Sequence, residues 1–92
     1  MTLDVRPTDD LTACLALRRA VFMEEQHVSE AEERDGKDDM AHHILARLAG
    51  RPVGCARILV DGSTGKIGRV CVLCNQRGKG LGQALMQACL DH

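Results

Sequence analysis

Aromatic side chains are nearly missing from this 92-residue chain: Phe22 stands alone, with no tryptophan and no tyrosine. A core must therefore be assembled from Leu, Val, Ile, Ala, Met and Cys, and apolar residues at 45% are numerous enough for that. Long hydrophobic runs are missing too. No stretch approaches the roughly 20 apolar residues that a membrane-spanning helix requires. A strong excess of one charge is absent, and a net charge of −1 argues against a nucleic-acid binder driven by bulk electrostatics. The segment Met1-Thr2-Leu3-Asp4 lacks the basic and apolar regions of a secretory signal, so a cytoplasmic protein is expected. An even cysteine count is absent as well. Five scattered cysteines disfavour a disulfide scaffold and fit reduced thiols. The length predicts one small domain, which buries only about 60–65% of the surface its unfolded chain exposes.

What is present has a clear order. Leu3 and Val5 alternate with Asp4 and Arg6, which predicts a short strand ended by Pro7. Thr8 is placed to cap a helix, with Asp9 and Asp10 in its first turn. Leu11, Cys14, Leu15, Val21 and Phe22 recur at helical spacing, predicting a helix from Asp9 to Glu25. Ser29 can cap a short helix through Arg34, within a charged stretch that otherwise reads as loop to Asp39. Strands are predicted over His43 to Leu48, Val53 to Val60 and Lys66 to Leu73. Turns at Ala49-Gly50-Arg51-Pro52 and Asp61-Gly62-Ser63-Thr64-Gly65 join them. A last helix begins near Gly80. Leu81, Ala84, Leu85, Ala88 and Cys89 form its apolar face, and Gln83, Gln87 and Asp91 lie outside. The order is β-α-(α)-β-β-β-α, an α/β (α+β) fold with a mainly antiparallel sheet flanked by helices.

The motif with the most chemistry is Gln76-Arg77-Gly78-Lys79-Gly80-Leu81-Gly82. Three alternate glycines leave backbone N–H groups free to approach a bulky anion. The helix that follows adds unpaired N–H groups and a partial positive charge, and Arg77 and Lys79 add formal charge. Strand, glycine loop and helix N-terminus together make a phosphate-binding arrangement. A bland alternative is that the glycines only let the helix pack against the strand. Familiar nucleotide motifs do not match. Gly62-Ser63-Thr64-Gly65-Lys66-Ile67 lacks the spacing and final hydroxyl of a Walker loop. The glycines at 78, 80 and 82 lack dinucleotide spacing, and only ten residues follow them.

What matches is R-x-x-G-x-G, read as Arg77-Gly78-Lys79-Gly80-Leu81-Gly82. Here the chain resembles the GCN5-related N-acetyltransferase superfamily. The resemblance extends to Lys66-Ile67-Gly68-Arg69-Val70-Cys71-Val72-Leu73, which looks like that family's fourth strand, and to the order of elements. Arg19-Ala20-Val21-Phe22-Met23-Glu24-Glu25-Gln26, with Asp35, Asp38 and His43, is similar to the ElaA-like branch. Cys74 stands where relatives often have proline. Family domains continue past this helix with further strands. The resemblance therefore implies that residues 1–92 are the N-terminal, cofactor-binding portion of one acetyltransferase domain, without its C-terminal strands.

The implied reaction moves an acetyl group from acetyl-CoA to a primary amine of a small molecule or peptide. The resemblance assigns the cofactor to backbone around Val70, Cys71 and Val72, and to Arg77, Gly78, Lys79, Gly80, Leu81 and Gly82. A backbone N–H of the fourth strand would polarise the thioester carbonyl. Glu25, Asp35, Asp38 and His43 are candidates for the base. Each has a plainer reading: a solvated helix end, solubilising loop residues, or a satisfied strand residue. The acidic stretch Glu24 to Asp39 suits a cationic acceptor and equally a solvated loop. Cys71-Val72-Leu73-Cys74 has C-x-x-C spacing, but residues three apart on a strand face opposite sides, so no metal site is expected. Cys14, Cys55 and Cys89 read as small core residues. The alternative function is a CoA-binding or assembly module that lacks turnover. The third meander strand would then be a bare edge, which predicts a homodimer or exchanged-segment assembly.

Overall fold

The computed structural model describes residues 3–34 and 36–91. The elements run β1 (Leu3–Thr8), α1 (Leu11–Arg18), a π-helical segment (Arg19–Glu25), α2 (Glu30–Glu33), a 3₁₀ turn (Asp38–Met40), β2 (His42–Leu48), β3 (Arg51–Asp61), β4 (Thr64–Val72), a second 3₁₀ turn (Cys74–Gln76) and α3 (Leu81–Asp91). The four strands form one antiparallel sheet in the order β1-β2-β3-β4. No described helix is long and apolar enough to cross a membrane.

Three local expectations are corrected. Pro7 does not end β1, because it pairs opposite Ile44 and the strand continues to Thr8. An edge strand tolerates proline where the missing N–H would face away from the ladder. Thr8 is not the cap of α1: its Oγ1 accepts from the Asp10 N–H, and Asp10 accepts from the Ala13 N–H at 3.1 Å. The expected single helix to Glu25 changes character after Arg18. Gln26 N–H donates to Val21 O at 3.1 Å, five residues back, and His27 at φ +62° then breaks the helical path. Ser29 does cap α2, its Oγ accepting from the Glu32 N–H.

The sheet is buried on both faces at its centre, which explains why β2 and β3 read as nearly unbroken apolar runs. Ile44, Ala46, Ala56 and Ile58 pack with Leu81, Leu85 and Cys89 of α3. Leu45, Cys55 and Cys71 point the other way and meet Cys14, Leu17 and Val21. Leu85 is fully buried, which stabilises the fold by about 2 kcal/mol on transfer alone. Gly54 makes this packing possible. A Cβ there would lie 2.8 Å from the Cys71 carbonyl oxygen and 3.1 Å from Leu85 Cδ1.

Two irregularities shape the sheet. Ala49 and Gly50 both have positive φ, +53° and +82°, the requirement of a tight two-residue hairpin turn between β2 and β3. In β4, Gly68 pairs with Arg57 and Cys71 with Cys55, so Arg69 and Val70 together face Ala56. Arg69 takes φ +51° at this bulge. The extra residue bends β4 where it passes α1 and the π-helical segment.

Candidate functional site

The bulge and the glycine loop meet in a cleft of about 290 Å³. One wall is Val70, Cys71 and Val72 of β4. The opposite wall is Val21 and Gln26, and the mouth is formed by Gln76, Arg77, Gly78, Gly80, Leu81 and Gly82. Lys79 is exposed and lies outside this lining. Gly78 and Gly80 have φ of +82° and +77°, where a side chain is strained, and nothing lies within 4 Å of where a Cβ would stand. The loop backbone is thus bare on the open side. The first bond at the start of α3 runs from Ala84 N–H to Gly80 O at 3.1 Å. The N–H groups of Leu81, Gly82 and Gln83 have no intrahelical acceptor, as in the first turn of any helix.

β4 is an edge strand among the described residues. Its outward backbone groups are therefore available except where Arg77 intervenes. Arg77 Nε donates to Val72 O at 3.0 Å. The rest of the guanidinium meets Glu25 in a two-pronged pair, Nη1 to Oε1 at 2.6 Å and Nη2 to Oε2 at 3.0 Å. Arg77's charge is therefore directed to Glu25, not held free for an incoming anion as the loop alone implied. The Arg77 hydrogen bond and charge hold the Glu25 carboxyl below the usual range, a poor setting for a base.

A second hollow lies across Val70, lined by Phe22, Val28, Glu32, Glu33, Arg69 and Val70. Val70 thus separates the long cleft from an acidic recess. Behind this recess is a buried cluster of charge. Arg18 Nε bonds Glu33 Oε1, and Arg18 Nη1 reaches Asp38 Oδ1 at 2.6 Å. Arg57 Nη1 also reaches Asp38 Oδ1, at 3.2 Å. Arg69 Nη2 donates to the backbone oxygens of Glu32 and Glu33, each at 3.2 Å. Burial pushes the Asp38 carboxyl up, but the hydrogen bonds and charges of Arg18 and Arg57 outweigh it and hold it below its ordinary value. Asp38 is therefore a structural anion and not a solvated loop residue.

His43 sits beside Asp38. Its Nε2–H donates to the Asp38 carbonyl at 3.0 Å, and its Nδ1 has no partner among the described residues. It faces a hollow on the β1 side of the sheet with Thr8, Asp9 and Asp39, remote in topology from β4. Asp35 lies outside the described residues. The residues assigned to the cofactor from sequence are thus gathered around one cleft, apart from Lys79, whereas of the described base candidates Asp38 and His43 lie together by another hollow and Glu25 lies apart from them, paired with Arg77.

Arg18, Arg57 and Arg69 carry the buried cluster, and sequence reasoning missed them. A signal existed: Arg57 interrupts the apolar run of β3, and Arg18 follows Leu17 on the buried face of α1. Glu32 and Glu33 were also readable, since a cap at Ser29 fixes where α2 begins. Among the cysteines, Cys14, Cys55, Cys71 and Cys89 are buried and Cys74 is exposed. Cys55 Sγ lies 3.4 Å from Cys71 Sγ. Hydrogen bonding with the Cys14 and Cys71 thiols, together with burial, pushes the Cys55 thiol far above its ordinary range, so it stays a neutral core group.

The arrangement has counterparts. The sequence model of the acetyltransferase (GNAT) family matches residues 11–92. The uncharacterized protein YyaT of Bacillus subtilis is 44% identical over 80 residues, covering 84% of this chain and 54% of that protein. A crystal structure of an acyl-CoA N-acyltransferase from Pseudomonas aeruginosa superposes with a TM-score of 0.85 and 33% identity, over 98% of this chain and 69% of its own. Escherichia coli ElaA gives 0.82 and 33%, over 98% and 68%. The chain spans little more than half the length of the curated relatives it matches, between 54% and 57%. With β4, its bulge, the glycine loop and α3 all inside the matched region, this chain belongs to the GCN5-related N-acetyltransferase family, in the ElaA-like branch.

Proposed function

We propose that residues 1–92 form the N-terminal, cofactor-binding portion of one acetyltransferase domain, which takes acetyl-CoA and acetylates a primary amine. The observation that carries this reading is the continuity of the cleft from the β4 bulge to the bare backbone of Gly78 and Gly80. Its polar mouth suits a pyrophosphate, met by the N–H groups of the loop and the first turn of α3. Its apolar stretch along Val70 to Val72 suits a pantetheine arm running beside an unpaired strand edge. A backbone N–H of β4 near the bulge, aimed at the thioester oxygen, would stabilise the charge that develops as the amine attacks. The carbon–nitrogen bond forms, the carbon–sulfur bond breaks, and the departing CoA thiolate ends as a thiol with the amine's proton.

The acceptor approaches from the recess on the far side of Val70, where Glu32 offers a negative partner for an ammonium group. Calorimetric titration with acetyl-CoA, followed by a thiol-release assay with a panel of small amines and peptides, tests the reading. Saturable binding with amine-dependent thiol release is expected. Absence of binding overturns it. Binding without release favours a CoA-binding module, a reading supported by the engagement of Glu25 and Asp38 in ion pairs with arginines.

A further inference from the structure

Arg77 and Glu25 lie 52 residues apart, yet form the bidentate pair that crosses the mouth of the cleft. The third side of the guanidinium is bound to the Val72 carbonyl. One side chain thus ties three elements together: the last residue of the π-helical segment, the end of β4 and the start of the glycine loop. Bidentate carboxylate–guanidinium pairs fix direction as well as distance, because two parallel bonds remove rotation about either one. Gly78 and Gly80 have no side chains to brace the loop, and nothing packs over them. Lys79 Nζ bonds Gln76 Oε1 within the loop at 3.0 Å and buried Leu81 fixes its far end, while Arg77, adjacent to Gly78, is the residue that ties it to the π-helical segment.

We propose that Glu25 is a positioning residue for the anion-binding loop: through Arg77 it presets the N–H groups of Gly78 to Gly82 for a pyrophosphate, and neither side chain is itself the phosphate ligand. This rests on the acyl-CoA reading of the cleft. It assigns Glu25 a role different from proton abstraction. Arginine is required here, because a lysine ammonium cannot bridge two carboxylate oxygens and a carbonyl in one plane.

Two ligands separate this role from a general loss of structure. Acetyl-CoA carries the pyrophosphate; S-acetylpantetheine carries the same thioester without it. Glu25→Gln and Arg77→Lys are each expected to weaken acetyl-CoA about fivefold, the upper range for an exposed ion pair, and in Glu25→Gln, which keeps the Arg77 bond to Val72, S-acetylpantetheine is expected to be unchanged. The reversed pair, Glu25→Arg with Arg77→Glu, is expected to recover part of the loss. Equal weakening of both ligands, or no change in either, overturns the proposal. Tighter acetyl-CoA binding in Glu25→Gln also overturns it, since Glu25 would then be competing with phosphate for Arg77. Amide hydrogen exchange without ligand gives an independent readout. Faster exchange confined to residues 78–82 in Glu25→Gln is expected, and an unchanged pattern there counts against the tie. Failure of the unaltered protein to bind acetyl-CoA, with the exchange difference intact, overturns the cofactor reading and leaves the anchoring of the loop standing.

Discussion

Asp38 shows how misleading a residue's immediate neighbours can be. It sits in Lys37-Asp38-Asp39, a tract that looks fully solvated, yet it is buried between Arg18 and Arg57. Its depressed folded value gives a definite pH dependence. Above the ordinary carboxyl value of about 3.9 the group is ionised in both folded and unfolded chains, so its contribution to stability is complete. Below that value the unfolded chain takes up a proton before the folded one, and the contribution is lost as pH falls through the folded value. Thermal unfolding followed by circular dichroism is therefore expected to be insensitive to this group from pH 8 to 5 and to decline in stronger acid. Asp38→Asn leaves two buried guanidinium groups short of an anion, a change that costs about 3 kcal/mol at neutral pH. Its deficit relative to the unaltered protein shrinks below about pH 4. A deficit that stays constant through the acid range contradicts this account.

At the scale of elements, the critical contact is the approach of α3 to the sheet. Gly54 on β3 lets the Cys71 carbonyl and Leu85 come within the space a methyl group would occupy. Since β4 and the start of α3 also line the cleft, packing and site share one joint. Gly54→Ala forces either β4 or α3 outward, and overpacking of this kind costs about 1–3 kcal/mol. For a domain of this size each kcal/mol corresponds to about 4–8 °C in melting temperature. A lower midpoint with weaker acetyl-CoA binding is expected; an unchanged midpoint shows that the joint is looser than the distances imply. The π-helical segment is the other informative element. Val21 and Phe22 keep an apolar face that reads as ordinary helix, but the i→i+5 bond at Gln26 changes the exit direction of the chain. Side-chain periodicity reports which residues face inward and is nearly blind to a single wider turn.

At the scale of the molecule, the sheet ends in β4 without a neighbour on its far side among the described residues. An edge with free N–H and C=O groups is a template for another strand. A homodimer or segment exchange through this edge is expected in solution at micromolar concentration, read by light scattering as twice the monomer mass. A stable monomer rules it out. If acetyl-CoA lies along β4 as proposed, it competes for the same edge, so the dimer is expected to weaken as ligand is added.

Apart from buried Leu17 and Arg18 on α1, the sequence alone established the order of elements, the helix faces, the turns and the glycine loop. These are local matters of spacing, conformational preference and capping, decided over a few residues. The family resemblance added the role expected of the strand before the loop. Only the tertiary structure decided where charge resides. Arg18, Arg57 and Arg69 converge on Glu33 and Asp38 from four separate elements and the 3₁₀ turn at Asp38. Arg77 finds Glu25 across 52 residues. Such pairings depend on how the sheet folds against its helices, and no local pattern encodes them. The same holds for the bulge at Arg69 and Val70, which is defined by the partner strand's register and not by its own residues. The glycine loop was therefore legible from its own backbone requirements. The side chains paired beside it, Arg77 and Glu25, became visible only once distant parts of the chain were brought together.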